Sequence, residues 1–363
     1  MASTILPTTM VGSYPRPAWF RYQLEGRDIL EAFKVAAHAE AFEDAVRTVL
    51  RDQEIAGLDL VTDGQMWFDD YSMGIGSFLW YWLERVAGFG KEKLPHPARA
   101  RAGADAFALD EAGGVAVRGP IERGPVRLAE LYRIAQRNSA RPVKACVGAG
   151  PVQLSTLAHF QSGPIKNRHE LAFALADVFR AEVHEVVQAG CRHVQLEDLG
   201  AWIPNLSGEK DFAWVIDVVH RVLDGVGAAT SWHFCLGNAW GNRIKGMTAG
   251  GYPRILPRYF DVRVGQFVLD FACREMAGIE VLADLPRDKT VAVGVIDVRT
   301  LEVEEPEQVA ERIRKVLTVI APERVTLTTD CGMKQLPRPC AFQKLTSLVK
   351  GAAIVRRELG AAP

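Results

Sequence analysis

The chain has little of what marks the specialised protein classes. Six cysteines in 363 residues are too sparse for a disulfide framework, which points to reduced thiols and a cytoplasmic setting. A formal net charge of −1, with 43 basic and 44 acidic residues, leaves no basic footprint for nucleic acid or an anionic membrane surface. No apolar run approaches the ~18 residues of a spanning helix. The start, Met1-Ala2-Ser3-Thr4, has neither the charged nor the apolar region of a secretory signal. There is no Gly-x-Gly-x-x-Gly phosphate loop at Gly12-Ser13-Tyr14-Pro15, and neither Cys235 nor Cys331 sits in a Cys-x-x-Cys pair. Tandem repeats are missing too. Low complexity is confined to an Arg/Ala/Gly tract near residues 98–106.

What remains is a chain that is 48% hydrophobic and 24% charged, ordinary for a soluble fold with a large core. Eight short, β-rich apolar runs stand out: 8–14, 58–63, 142–148, 193–197, 231–236, 266–271, 291–297 and 325–331. Helical periodicity separates most of them, for example at 40–56, 170–189, 212–226 and 306–320. Near-continuous apolar strands alternating with helices read as βαβ units. Eight of them predict a (β/α)8 TIM barrel, here as one catalytic domain over residues 1–363. Residues 88–121 break the rhythm and read as a hairpin-like excursion.

In such a barrel the active site lies at the C-terminal ends of the strands. Those ends carry Gly12-Ser13, Asp63-Gly64-Gln65, Glu197-Asp198, His233 and Cys235, Asp270, Asp297 and Cys331. His233 and Cys235 share a strand face, because side chains two residues apart point the same way. Imidazole nitrogen and thiolate sulfur suit Zn2+, and three protein ligands with an open position describe a catalytic zinc. A thiol entering that position is ionised at neutral pH. Glu197 and Asp198 alternate faces, so only one reaches the interior; Glu197 is the expected one. Glu197, Asp198 and Asp63 are candidates for proton handling. His159, His184, His193 and His220 read as packing residues, and Cys146, Cys191, Cys273 and Cys340 as ordinary thiols.

At these residues the chain resembles the catalytic barrel of the cobalamin-independent methionine synthase family, in its short, single-barrel form. The matching pieces run in order: Thr8-Thr9-Met10-Val11-Gly12-Ser13-Tyr14-Pro15, Val61-Thr62-Asp63-Gly64, Val194-Gln195-Leu196-Glu197-Asp198, His233-Phe234-Cys235, Gly294-Val295-Ile296-Asp297 and Asp330-Cys331-Gly332-Met333-Lys334. The resemblance implies a zinc-bound thiolate that takes a methyl group from 5-methyltetrahydrofolate, with homocysteine as the thiol. It carries the metal ligands over as His233, Cys235 and Cys331. Asp270, in Leu269-Asp270-Phe271-Ala272, stands where the family has a glutamate ligand. Ser13, Gln65, Trp67 and Asp297 are then substrate-binding candidates.

The chain departs from the family at Gly64-Gln65, where the pattern has Gly-Glu, and no glutamate follows near Ile75. This keeps a relative with the same zinc motif in play, the epoxyalkane:coenzyme M transferase, which opens an epoxide with a zinc-bound thiolate. The pairs Trp19-Phe20 and Trp67-Phe68 and the aromatic run at 78–82 would line its apolar pocket. The expected partners are a small-molecule thiol and an alkyl donor, folate-type or epoxide. Neither nucleic acid nor membrane is expected, and a homo-oligomer is compatible with the sequence. Two other classes stay open: a thiol-holding zinc protein without turnover, and a redox pair joining Cys235 to Cys331.

Overall fold

The computed structural model describes residues 5–20, 24, 29–68, 76–98, 113–160, 163–202, 211–234, 236 and 250–361, with 29, 30, 76 and 77 by backbone only. Strands β1 (Val61–Thr62), β4 (Val143–Val147), β6 (His193–Glu197), β7 (Ala229–His233), β8 (Gln266–Asp270), β9 (Thr290–Ile296) and β10 (Val325–Thr329) form one seven-stranded sheet in that order. Every pairing in it is parallel. β9 shows why the runs read so clearly. Its sequence TVAVGVI is buried at all but the first position, as a strand covered on both faces must be.

The run at 8–14 forms no regular strand; it contributes a single parallel bridge between Thr8 and Leu327. That bridge nevertheless closes the ring. Thr9 N donates to Leu327 O at 2.9 Å and Leu327 N to Pro7 O at 2.8 Å, while Asp59 N and Leu60 N both donate to Thr8 O at 3.1 Å. Residues 7–9 thus lie between β10 and the approach to β1, and the curled sheet becomes an eight-position (β/α)8 barrel. From Met10 to Gly12 the carbonyls are taken by side chains instead of a ladder. Met10 O accepts from Lys144 Nζ at 2.8 Å, Val11 O from Gln195 Nε2 at 2.7 Å and from Cys146 Sγ at 3.0 Å, and Gly12 O from Thr62 Oγ1 at 2.8 Å.

The helices lie outside the sheet, and their ends carry local signals. Arg168–Gln188 starts at Asn167, whose side chain accepts from Glu170 N at 3.0 Å, a helix N-cap. Pro306–Leu317 begins with proline in its first turn, and Gln308 Oε1 accepts from Glu305 N at 2.8 Å, one half of a capping box. Arg338–Glu358 closes the chain.

The excursion contains a hairpin as expected: β2 (Ala87–Phe89) runs antiparallel to β3 (Val115–Glu122). A third strand, β5 (Ala158–Phe160), joins β3 in parallel, making a separate three-stranded sheet. Three residues with one alternation are too short to signal a strand by periodicity. No helix among the described residues is long and apolar enough to cross a membrane.

Candidate active site at the barrel mouth

The ends of β1, β4 and β6 build the first half of the site around Glu197. Its Oε2 accepts from Gln65 Nε2 at 2.9 Å and its Oε1 from Gln195 Nε2 at 3.0 Å. Gly12 and Gly148 make the space: a Cβ at Gly12 would stand 2.8 Å from Oε1, and one at Gly148 3.0 Å from Oε2. Burial pushes the Glu197 carboxyl upward, while His233, Gln65, Lys144 and Gln195 pull it back. Gln65 reaches it from a left-handed backbone, φ 49°. That turn is clamped by Arg16, whose Nη2 donates to Gln65 O at 2.7 Å and Phe68 O at 2.9 Å. Asp63 Oδ1 accepts from Gln65 N at 2.8 Å. Burial, with the Glu197 charge adding to it, raises Asp63 to about 6.

Asp198 faces the other way. Oδ2 accepts from Val152 N at 3.0 Å, and Oδ1 from Gln153 N at 2.9 Å and Gly200 N at 2.7 Å. It holds the start of the helix Pro151–Ser155, and burial raises it to about 6 against those three donors. Its oxygens therefore serve the backbone, where the sequence offered it as a proton carrier.

The second half of the site lies at β7, β8 and β10. His233 is buried at the end of β7, with Nδ1 3.0 Å from Val268 O. A carbonyl at that distance takes the Nδ1 proton, leaving Nε2 as the lone-pair nitrogen, the arrangement found in metal-ligating histidines. Asp270 is fully buried: Oδ2 accepts from Leu236 N and Arg299 Nη2, both at 2.9 Å, and Oδ1 from Tyr252 Oη at 3.3 Å. Asp330 anchors the turn after β8, taking Phe271 N and Ala272 N at 3.0 Å, Cys273 N at 2.7 Å and Arg299 Nη1 at 3.1 Å. The half-buried Cys331 is the next residue in the chain. Burial works against the Arg299 charge, but Asp270 and Asp330 outweigh it and hold the guanidinium protonated.

The remaining candidates are placed as follows. Ser13 lies beside Cys331: its carbonyl accepts from Met333 N at 2.7 Å, and its Oγ sits where a side chain on Gly332 would go. Asp297 shapes a turn, accepting from Arg299 N at 2.9 Å. Trp67 is only 2% exposed and packs edge-on against Tyr81, ring centroids 4.5 Å apart. Cys235 lies outside the described residues. Among the described residues no three His, Cys, Asp or Glu side chains are gathered as a metal cluster. The donor chemistry of His233 and Cys331 nonetheless fits zinc, and the Nδ1 contact gives His233 the required tautomer. Asp270 fits less directly, since both its oxygens are engaged.

Residues 108–354 match the family model described as the cobalamin-independent synthase catalytic domain. This chain belongs to the cobalamin-independent methionine synthase family. It is 31% identical over 358 residues to a methionine synthase of Sulfurisphaera tokodaii, covering 98% of this chain and 94% of that one. To a methionine synthase of Thermococcus kodakarensis it is 32% identical over 366 residues, covering 99% and 96%. Its fold is shared by a B12-independent methionine synthase from Shewanella sp. W3-18-1, solved in complex with selenomethionine, at TM-score 0.79 and 24% identity over 98% of this chain and 99% of that one.

Within this methionine synthase-type barrel, sequence reasoning passed over Lys144, Gln195, Arg16 and Arg299. Lys144 and Gln195 did leave a signal, a cation and an amide inside apolar strand runs, where an unsatisfied polar group would be costly. Arg16 and Arg299 sit in loops, and nothing local distinguishes them from surface arginines.

Proposed function

We propose that this protein is a zinc-dependent S-methyltransferase that activates homocysteine as a thiolate and methylates it from a folate donor, in the manner of a 5-methyltetrahydropteroyltriglutamate–homocysteine methyltransferase. The observation that carries this reading is Glu197, held at the mouth with amide donors on both oxygens. A half-buried carboxylate so presented suits the ammonium of an amino-acid thiol. It opposes the sulfonate of coenzyme M, which would meet like charge in a desolvated site. Burial of Trp67 against Tyr81 likewise gives the epoxide reading no open aromatic wall at that residue.

His233, Cys235 and Cys331 would hold the metal, with Asp270 as a further candidate. A bound zinc ion lowers the pKa of a coordinated thiol, so that the thiolate prevails at neutral pH. The chain's own groups do the rest. Glu197 fixes the amino end of the acceptor and so aims its sulfur. Asp63, with a pKa near 6, carries a proton over part of the neutral range and can meet the departing nitrogen of the donor. The whole of residues 1–363 would act as one catalytic unit in the cytoplasm.

The test combines metal analysis with two assays on purified protein. One zinc per chain, methionine formed from homocysteine and methyltetrahydrofolate, and loss of both in Cys331→Ser are expected. Absence of tightly held zinc, or a 2-hydroxypropyl thioether formed from coenzyme M and epoxypropane, would overturn the reading.

A further inference from the structure

Lys144 lies beneath the site, on β4, and neither the metal nor the donor chemistry uses it. Only 4% of it is exposed, yet its charge is not paired directly with Glu197. Its Nζ donates to Gln195 Oε1 at 2.7 Å and to Met10 O at 2.8 Å. Gln195, on the neighbouring strand β6, passes the contact upward: its Nε2 donates to Glu197 Oε1 at 3.0 Å and to Val11 O at 2.7 Å.

The chemistry of the three groups fixes the direction of this chain. A lysine amine head here donates, and a glutamine amide has one acceptor oxygen and two N–H donors. With Oε1 held by Lys144, both N–H groups of Gln195 must point at acceptors, the Val11 carbonyl and the Glu197 carboxylate. Rotating the amide by half a turn would set NH2 against the lysine head and its oxygen against a carbonyl and a carboxylate. Gln65 adds the second donor from the opposite side, its Nε2 shared between Glu197 Oε2 at 2.9 Å and Cys146 O at 3.3 Å. The interposed amide matters. A direct lysine–glutamate pair would neutralise Glu197, whereas Gln195 transmits orientation and leaves the negative charge for a ligand.

We propose that Lys144 is a positioning and specificity-determining residue: through Gln195 it holds Glu197 as the acceptor for the ammonium group of the substrate. This rests on the amino-acid-thiol reading above and adds the residue that enforces it. The relay predicts that removing Lys144 weakens recognition of the ammonium group and spares the rest of the ligand.

The test needs neither metal nor turnover. Binding of L-methionine and of 4-(methylthio)butanoate, which lacks only the amine, is measured by calorimetry on the full chain. The wild type should prefer L-methionine by about tenfold or more, the scale of one hydrogen bond to a charged group. In Lys144→Met that ratio should fall toward one, through loss of L-methionine binding with 4-(methylthio)butanoate binding kept. Gln195→Met leaves Lys144 on Met10 O and should behave alike, which keeps the test available should Lys144→Met fail to melt cooperatively. A wild-type ratio kept in the folded variants overturns the relay and leaves the proposed function standing. A wild-type ratio of one overturns the acceptor reading, and the relay with it. Equal weakening of both ligands assigns Lys144 a merely structural part and overturns the proposal.

Discussion

At Gly148 the barrel leaves room for a carboxylate head and an amide. A Cβ there would stand 3.0 Å from Glu197 Oε2 and 3.2 Å from Gln65 Nε2, closer than either contact tolerates without a shift. Gly148→Ala is therefore expected to weaken L-methionine binding by about tenfold, since one charge-assisted hydrogen bond is displaced; calorimetry against the wild type checks it. Asp63 makes a pH-dependent prediction. Its folded pKa of about 6 stands above the ordinary 3.8, so the native state binds that proton more tightly than the unfolded chain. The stability it contributes is full below pH about 4 and is lost as pH rises through about 6. Asp63→Asn escapes that loss. Its melting temperature relative to the wild type should rise between pH 4.5 and pH 8; a flat difference would contradict the assignment.

At the scale of elements, the short helix Pro151–Ser155 depends on a side chain just past the end of β6. Asp198 satisfies Val152 N, Gln153 N and Gly200 N, and Asp198→Ala leaves all three without that acceptor. The expected cost is about 3 kcal/mol or more in urea unfolding, at roughly 1–3 kcal/mol per buried orphan. The sequence made the existence of these elements readable more than their function. Runs such as 291–297 are apolar on both faces and could only be buried strands. The helices at 168–188 and 306–317 were readable from their periodicity, though the Asn167 cap and the proline at 306 set their first residues. Asp198 stood among the proton-handling candidates because a carboxylate after a strand looks the same whether it faces substrate or a neighbouring helix. The run at 8–14 looked like a strand because its apolar residues are buried, but from residue 10 to residue 12 its carbonyls go to side chains. Periodicity registers burial, and does not say which donor meets each carbonyl.

For the whole molecule, closure of the ring is the step the remaining contacts protect. Asp59 Oδ2 accepts from Thr8 N and Thr8 Oγ1 at 2.8 Å and from Arg356 Nη2 at 2.7 Å, and Arg356 also donates to Ile5 O at 3.0 Å and Leu6 O at 3.1 Å. One carboxylate thus ties the first segment to the last helix. Asp59→Ala leaves a buried guanidinium without its counter-charge and is expected to cost about 3 kcal/mol. It should also speed proteolysis at the N-terminus without altering the Glu197 site at low temperature. Equal melting curves for the two proteins would count against this tie.

The seam itself behaves unlike the rest of the barrel. Elsewhere neighbouring strands grip each other through peptide groups, which every residue but proline supplies in full, so most substitutions leave the grip in place. Between residues 10 and 12 the peptide oxygens hang from Thr62, Lys144, Cys146 and Gln195. Here the join is encoded in side chains, and two of them, Gln195 and Lys144, form the floor beneath Glu197. A mutation that retunes what the floor recognises must at the same moment loosen or tighten the fastening of the first segment, so selectivity and closure can only drift together.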